Sequence, residues 1–136
     1  MTEDGSLSYS GTIHESLGIR PIEMSPERVV MEMDVGPRVH QPFGILHGGA
    51  SAVLAESAAS LGAYLNCDRD TEVALGIELN ISHLNARSTG SIRAIATPVR
   101  RGRTLHVWTV DIVDGDGGAV AISRCTVAIR PRRRSD

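Results

Sequence analysis

The sequence predicts a single α+β domain in which about six antiparallel strands surround one long helix. A segment without Pro, rich in Ala and Leu, runs from Gly48 to Asn66 with one charged residue, Glu56. Runs of alternating apolar and polar residues flank this segment and are typical of strands. The last three runs are joined by connections too short for a crossover helix, so their strands must be antiparallel neighbours. A length of 136 residues fits one domain.

The elements before the helix are short. We expect a disordered tail over residues 1–10 and one helical turn over 12–17. A strand near 19–24 is predicted to pair, through Ser25 and Pro26, with a strand over 28–35, where apolar residues alternate with Glu32 and Asp34. Residues 36–44 contain two prolines and are predicted to form a loop into the helix.

The long helix and the strands after it complete the predicted domain. The many small side chains of Gly48–Asn66 would let neighbouring backbones approach closely, and its single charge indicates a helix buried on nearly all sides. Four strands are predicted after it, over residues 73–84, 91–99, 104–113 and 119–129. A basic tail over 131–136 follows the domain.

Composition narrows the class of protein. With 41% apolar and 22% charged residues the chain is neither disordered nor fibrous, and its net charge of −2 gives no general attraction to nucleic acid or anionic lipid. All 14 basic residues are Arg, which excludes Schiff-base lysines, P-loops and Ser-Lys pairs. Two cysteines, no signal peptide and no long apolar run predict a cytoplasmic protein without a membrane segment.

The residues between 41 and 60 carry the features that favour catalysis. Gly48 and Gly49 lie where a loop enters the helix, so free backbone N–H groups and the positive end of the helix dipole would stabilise an oxyanion. Glu56 is costly on so apolar a helix unless it is paired, protonated or used. Ser60, one turn later, lies on the same face of the helix as Glu56. Taken singly, each of these residues also has a structural explanation. A buried carboxylate can accept hydrogen bonds from the N–H groups of a loop, and His47 can be a polar residue whose hydrogen bonds are made within the fold.

Helix geometry separates the oxyanion donor from the acid. The eight residues from Gly48 to Glu56 correspond to a rise of about 12 Å, whereas a reacting carbonyl must lie about 3 Å from both donor and nucleophile. A second copy of the helix, running antiparallel, would place Glu56 of one subunit opposite Gly48 of the other. The sequence therefore predicts a two-fold homodimer with two sites.

The motif Gln41-Pro-Phe-Gly-Ile-Leu-His-Gly-Gly-Ala-Ser-Ala-Val-Leu-Ala-Glu-Ser resembles the signature of the hotdog-fold acyl-CoA thioesterases. Within them it is similar to the PaaI-like group, which includes aroyl-CoA hydrolases of menaquinone synthesis and enterobactin proofreading. The similarity extends over residues 18–129, through Gly62-Ala-Tyr64, Gly76-Ile-Glu78-Leu-Asn80 and His106-Val-Trp108. It implies a hotdog thioesterase domain over 11–130, with a curved antiparallel sheet around one central helix, in a homodimer or homotetramer.

The resemblance also implies an activity and the residues for it. An acyl-CoA would be hydrolysed to free acid and CoA, with Glu56 as nucleophile or general base and the Gly48 N–H as oxyanion donor. His47 and Gln41 would orient the thioester and the water, and Ser60 would assist from the opposite protomer. No cofactor or metal is expected, because CoA is part of the substrate. Contacts to CoA are implied at His83, Asn85, Arg87, Ser88, Arg101, Arg103 and Thr104, although Asn85 stands where many relatives have a basic residue.

Two other functions and a metal site are the alternatives to thioester hydrolysis. A non-catalytic acyl-CoA sensor could use the same fold, but the intact Glu56 argues against it. A hydratase would need a differently placed His and Asp, and a metal site of His47, Glu56 and His83 lacks the spacing of helical metal-binding motifs. Phe43, Tyr64 and Trp108 suit an aryl or medium-chain acyl pocket without distinguishing the acyl group.

Overall fold

A computed structural model describes residues 6–134 and contains a six-stranded antiparallel sheet within that range. Two α-helices accompany it, α1 (Ile13–Leu17) and α2 (Gly48–Asn66), together with a 3-10 turn at Pro37–Val39. The strands are β1 (Arg20–Ser25), β2 (Arg28–Asp34), β3 (Glu72–His83), β4 (Ser91–Arg101), β5 (Leu105–Asp114) and β6 (Ala119–Pro131). Every predicted strand is present, and α2 has the predicted bounds.

The strand order in the sheet is β1-β2-β4-β5-β6-β3. Strand β3 therefore does not lie between β2 and β4 but at one edge of the sheet, beside β6. The hairpin of β1 and β2 and the run β4-β5-β6 are the expected antiparallel neighbours. Strand β3 pairs with β6 from Glu72 opposite Pro131 to His83 opposite Ala121. Its other edge is unpaired within residues 6–134.

Helix α2 packs against every strand of the sheet. The sheet can wrap around it because the inward face of α2 is built from small residues: Ala55, Ala58, Ala59 and Ala63 have no exposed surface. Alternating residues of the central strands supply the facing layer, with Ile92, Ala94 and Ala96 on β4 and Trp108, Val110 and Ile112 on β5. The predicted enclosed helix is therefore present.

The two chain ends are described in part. Of the predicted tails, residues 1–5 and 135–136 lie outside the described residues. Within the described part, Tyr9 packs against the core, and its carbonyl accepts hydrogen bonds from the amide and the hydroxyl of Thr12. No helix between residues 6 and 134 is long and apolar enough to cross a membrane.

Candidate active site

The first turn of α2 leaves one amide available. His47 is the N-cap, and its Nδ1 accepts a hydrogen bond from the Gly49 amide at 2.7 Å. This contact places the imidazole proton on Nε2 in the neutral ring. The Gly48 N–H has no hydrogen-bond partner within residues 6–134. Because the helix dipole is positive at this end, Gly48 offers a free donor to an oxyanion.

The loop before the helix is held on both sides. The Gln41 amide donates to Ile45 O at 2.8 Å and Gly44 donates to Gln41 O at 3.0 Å, in a tight turn where Gly44 has φ of 79°. The Gln41 side-chain oxygen accepts from the amide of Phe43, whose own side chain is 90% exposed at the tip of the turn. Gln41 is therefore fixed beside the helix start.

The side chain of His83, at the end of β3, covers Gly48. A Cβ atom built on Gly48 would lie 2.6 Å from His83 Nε2, so no larger residue fits without displacing the ring. Together they border a cavity of about 300 Å³. Six polar or glycine positions line it: Gln41, Gly48, Ser51, His83, Asn85 and Arg87. The structure thus brings five of the sequence-predicted residues to one place.

Three of the predicted CoA contacts near this cavity already have partners. Arg87 binds Asp114 through Nη2 at 2.5 Å and Nε at 3.2 Å, and this guanidinium holds the pKa of the Asp114 carboxyl below its usual range. Asn85 Nδ2 donates to Ala119 O at 2.7 Å. The Ser88 carbonyl lies 2.8 Å from His40 Nε2. These contacts tie the segment after β3 to its neighbours.

Glu56 lies two turns farther along α2, against the edge strand. Its carboxyl group packs on the backbone of Gly76, where an added Cβ would overlap Oε1 and lie 3.2 Å from Cδ. No hydrogen bond to this carboxylate is found within residues 6–134, and the side chain is half-buried. Burial raises the pKa of the neighbouring Cys125 thiol to about 12, with further contributions from the negative charges of Glu56 and Glu78.

A second cavity, of about 400 Å³, contains Glu56. Ser60 lines it as well, so the predicted pair shares one space. The other walls are mostly apolar and come from α2, β2 and the N-terminal segment: Leu7, Tyr9, Ile13, His14, Met31, Val53, Ser57, Leu61 and Tyr64. Glu56 and Gly48 therefore border different cavities of the same chain.

The remaining predicted contacts lie at the other end of α2. Arg101 Nη1 lies 3.3 Å from Asn66 Oδ1, and the same atom approaches Glu27 at 3.7 Å. Arg103 lines a polar cavity of about 450 Å³ beside Asn66. The Thr104 carbonyl accepts from the Ile129 amide at 2.9 Å. Within one chain, the structure thus does not bring these three residues to the Gly48 end.

Sequence reasoning missed three polar residues of these cavities. Ser51 is 1% exposed, and its hydroxyl has no hydrogen-bond partner within the described residues. Tyr9 and His14 line the cavity of Glu56, although no residue before position 41 was predicted to have a functional role. Ser51 lies inside the signature, whereas the placement of Tyr9 and His14 depends on a contact across the fold that periodicity does not reveal.

Comparison with known proteins decides the family. A family profile described as the thioesterase superfamily matches residues 43–121. The chain belongs to this superfamily. It is 38% identical over 122 residues to the 1,4-dihydroxy-2-naphthoyl-CoA hydrolase of Listeria monocytogenes, covering 90% of this chain and 98% of the relative. It is 40% identical over 119 residues to the proofreading thioesterase EntH of Cronobacter turicensis, covering 88% of this chain and 86% of the relative.

Solved structures agree with this assignment. A mutant thioesterase of Pseudomonas aeruginosa superposes with a TM-score of 0.88 at 40% identity, over 91% of this chain and 89% of that one. A thioesterase of Haemophilus influenzae superposes with a TM-score of 0.87 at 31% identity, over 93% of this chain and 90% of that one. The predicted hotdog fold and the predicted class, a thioester hydrolase, are confirmed. Within residues 6–134, no group of three or more His, Cys, Asp or Glu side chains is arranged to hold a metal ion.

Proposed function

We propose that this thioesterase hydrolyses an aroyl-CoA or a similar acyl-CoA at two equivalent sites, each shared between two subunits in the cytoplasm. The observation that carries the proposal is the Glu56 carboxylate, which has no hydrogen-bond partner within residues 6–134, lines a cavity and packs against Gly76 on the edge strand β3. A half-buried carboxylate without a structural partner favours a catalytic role over a structural one.

The edge strand β3 supports a dimer. It is 12 residues long and carries exposed Leu75 and Ile77, at 52% and 58%. A long apolar edge strand favours pairing with another strand. Antiparallel pairing of β3 with its symmetry copy would bring Gly76, and Glu56 above it, close to the partner subunit. Exposed Ile22, Met24 and Ile122 favour a further association of two dimers into a homotetramer.

The proposed reaction uses groups from both subunits. The thioester carbonyl oxygen accepts a hydrogen bond from the free Gly48 N–H. The Nε2–H of His47, at the same end of the helix, can donate a second hydrogen bond to this oxygen. Glu56 of the second subunit then attacks the carbonyl carbon and expels CoA thiolate, after which water cleaves the anhydride. In the alternative route Glu56 removes a proton from water, the water oxygen attacks the carbonyl carbon, and the C–S bond breaks to release CoA thiolate and the free acid. Gln41 would orient the thioester, and Ser60 would hold the carboxylate or the water.

A two-fold arrangement also accounts for the separated CoA contacts. With antiparallel helices, the Gly48 end of one subunit would approach the far half of α2 in the other, where Arg101, Arg103 and Thr104 lie. Arg103 has no hydrogen bond or ion pair within the described residues, so its guanidinium is available to CoA phosphates. His83, Asn85, Arg87 and Ser88 would line the opposite side of the same entrance.

Hydrolysis assays test the proposal directly. Thiol release from benzoyl-CoA, naphthoyl-CoA and decanoyl-CoA is measured for the wild type, Glu56→Gln and the control Asp111→Asn, which removes an exposed carboxylate on β5. We expect Glu56→Gln to lower kcat about 10²- to 10⁴-fold, and the control to match the wild type. Equal rates for Glu56→Gln and wild type would refute the catalytic role, and CoA binding without turnover would favour a sensor.

Mixed dimers test the shared site. Glu56→Gln and His47→Ala chains are each expected to be nearly inactive alone. Coexpressed with different affinity tags and purified as heterodimers, they would contain one site with both defects and one with neither. We therefore expect about half of the wild-type activity per heterodimer. No recovery in a verified heterodimer, or a monomer in sedimentation, would refute a site built from two subunits.

A further inference from the structure

A polar cavity of about 450 Å³ lies at the carboxyl end of α2, beside the turn that joins β4 to β5. Arg101, Gly102, Arg103 and His106 form one side of it. Both arginines are exposed, whereas His106 is only 4% exposed. A buried polar ring at the wall of a polar cavity needs its own explanation, because such groups are kept for the hydrogen bonds they make.

The His106 ring uses both of its nitrogens. Burial and the positive charge of Arg101 lower the pKa of His106, so the ring is neutral at pH 7, whereas a hydrogen bond with the backbone of Gly102 acts in the opposite direction. Trp108 Nε1 donates to Nδ1 at 3.5 Å, which leaves the proton on Nε2. A backbone bond that raises the pKa of an imidazole is one that the ring donates, so Gly102 O accepts from Nε2–H. His106 therefore bridges Trp108 and Gly102.

One end of this bridge is fixed in the core, and the other lies in a tight turn. The Trp108 indole has no exposed surface, and a Cβ atom on Gly62 of α2 would lie 2.5 Å from its Cη2. The Gly102 amide donates to Leu105 O at 2.9 Å, and a Cβ atom on Gly102 would lie 2.7 Å from that oxygen. The ring thus ties an exposed turn to the core of the protein.

The turn carries two cations whose charges are not neutralised at close range. Arg101 Nη1 lies 3.3 Å from Asn66 Oδ1 and 3.7 Å from Glu27 Oε1. Arg103 has no hydrogen bond or ion pair within residues 6–134. Free guanidinium groups are well suited to phosphate oxygens. Holding their backbone in place lowers the entropy that is lost when they bind a phosphate.

We propose that His106 is a positioning residue for CoA, which keeps the turn at Gly102 in the place where Arg103 binds a phosphate group of the substrate. This inference rests on the proposed function, which assigns CoA phosphates to this turn. In this role His106 touches neither the phosphate nor the thioester. Its loss should weaken the binding of thioesters that carry phosphate groups and leave the chemical step unchanged.

Matched thioesters test this role. We would measure kcat and KM for benzoyl-CoA and for benzoyl-pantetheine, which lacks the nucleotide and its phosphates. His106→Leu is expected to raise KM for benzoyl-CoA about three- to tenfold, with kcat and both benzoyl-pantetheine constants within about twofold of the wild type. His106→Gln, which keeps a donor and an acceptor, should restore most of the loss. A lower kcat with both thioesters would indicate a general structural role and overturn the inference.

The turn can also be displaced without changing the core. In Gly102→Ala the new methyl group would collide with Leu105 O, so KM for benzoyl-CoA should rise as in His106→Leu, which keeps the test available if that variant does not fold. Gly115→Ala, in the turn between β5 and β6, is the matched control because a Cβ there meets nothing within 4 Å. Wild-type KM in Gly102→Ala would overturn the inference.

A double-mutant cycle tests whether His106 acts through Arg103. In an Arg103→Gln background, His106→Leu should raise KM for benzoyl-CoA by less than about twofold, because the phosphate contact is already lost. The same increase in both backgrounds would mean that His106 does not act through Arg103, and the inference would fail.

A binding measurement separates this inference from the catalytic proposal. Titration calorimetry with CoA gives a Kd that does not depend on turnover. Weaker CoA binding by His106→Leu, restored by His106→Gln, supports the inference even if the wild type hydrolyses no thioester, an outcome that would overturn only the proposed reaction. Equal Kd values for wild type and His106→Leu overturn the inference and leave the hydrolase intact. No CoA binding by the wild type would overturn it together with the proposed CoA contacts.

Discussion

The carboxyl group of Glu56 on α2 packs directly against the backbone of Gly76 on β3. A Cβ atom at position 76 would overlap Oε1 of Glu56 and lie 3.2 Å from its Cδ. The absence of a side chain at Gly76 therefore lets the carboxylate lie at the unpaired edge of the sheet. The position of the proposed catalytic acid depends on a glycine 20 residues farther along the chain.

Replacing this glycine should displace the acid without unfolding the protein. We expect Gly76→Ala to lower kcat about 10²-fold, because a shift of about 1 Å in a catalytic group has that effect. Gly36→Ala is the control, since a Cβ there meets nothing within 4 Å. Steady-state kinetics and sedimentation of both variants provide the measurement. Wild-type kcat in a dimeric Gly76→Ala protein would contradict the prediction.

The fold was largely predictable because its signals are local. The bounds of α2 follow from the glycines at its start and the polar residues after Asn66, and the short turns require β4, β5 and β6 to be neighbours. The edge position of β3 was not predictable. Its pairing with β6 joins residues about 40 to 60 positions apart, and no local pattern specifies such a partner.

The arrangement of the candidate site was predictable only where its residues belong to one stretch of sequence. The residues of one sequence window, such as Gln41 and Gly48, do lie together, and helix geometry correctly separates Gly48 from Glu56. The covering of Gly48 by His83 and the hydrogen bond from Asn85 to Ala119 O depend on the placement of β3 in the sheet. Side-chain partners of this kind require the three-dimensional structure.

The N-cap predicts a stability effect at His47. His47→Ala removes the acceptor of the Gly49 amide and should lower the free energy of unfolding by about 1 kcal/mol. His47→Asn should lose less, because Asn is among the preferred N-cap residues. Urea unfolding at pH 7.5 measures both.

The same two variants separate capping from catalysis. Asn cannot place a ring N–H where His47 Nε2 lies, so we expect His47→Asn to recover stability but not turnover. If the two variants are equally stable, the hydrogen bond to Gly49 does not contribute as a cap. If Asn also restores kcat, the imidazole is not needed in the reaction.

The contact between Gly62 and Trp108 predicts an unusual response to alanine. Gly→Ala inside a helix is ordinarily stabilising by about 0.5–1 kcal/mol. At Gly62, however, a Cβ would lie 2.5 Å from Trp108 Cη2, and both residues are buried. Overpacking of this kind costs about 1–3 kcal/mol, so the net effect should be destabilising.

A double-mutant cycle isolates this contact. The cost of Gly62→Ala, measured by urea unfolding, should be smaller in a Trp108→Phe background, because the smaller ring leaves room for the methyl group. Gly36→Ala again serves as the unhindered comparison. An equal cost in both backgrounds would show that Trp108 is not the source of the penalty.

The buried imidazole of His106 predicts a pH dependence of stability. Burial lowers its pKa below 6.5, with a smaller contribution from the positive charge of Arg101. The unfolded chain therefore binds the proton more readily than the folded chain. Stability is full above pH 6.5 and falls as the pH decreases from 6.5 to the folded-state pKa, below which both states are protonated.

His106→Gln should remove this dependence, because Gln keeps an acceptor near Trp108 Nε1, which lies 3.5 Å from His106 Nδ1, but does not titrate. The free energy of unfolding, measured from pH 7.5 to 5, should then decrease less steeply than in the wild type. A residual slope is expected from His14, whose pKa burial also lowers, and the double variant with His14→Gln should be flatter still. Parallel curves for wild type and His106→Gln would mean that the buried ring takes up no proton on unfolding, contrary to its environment between α2 and the sheet.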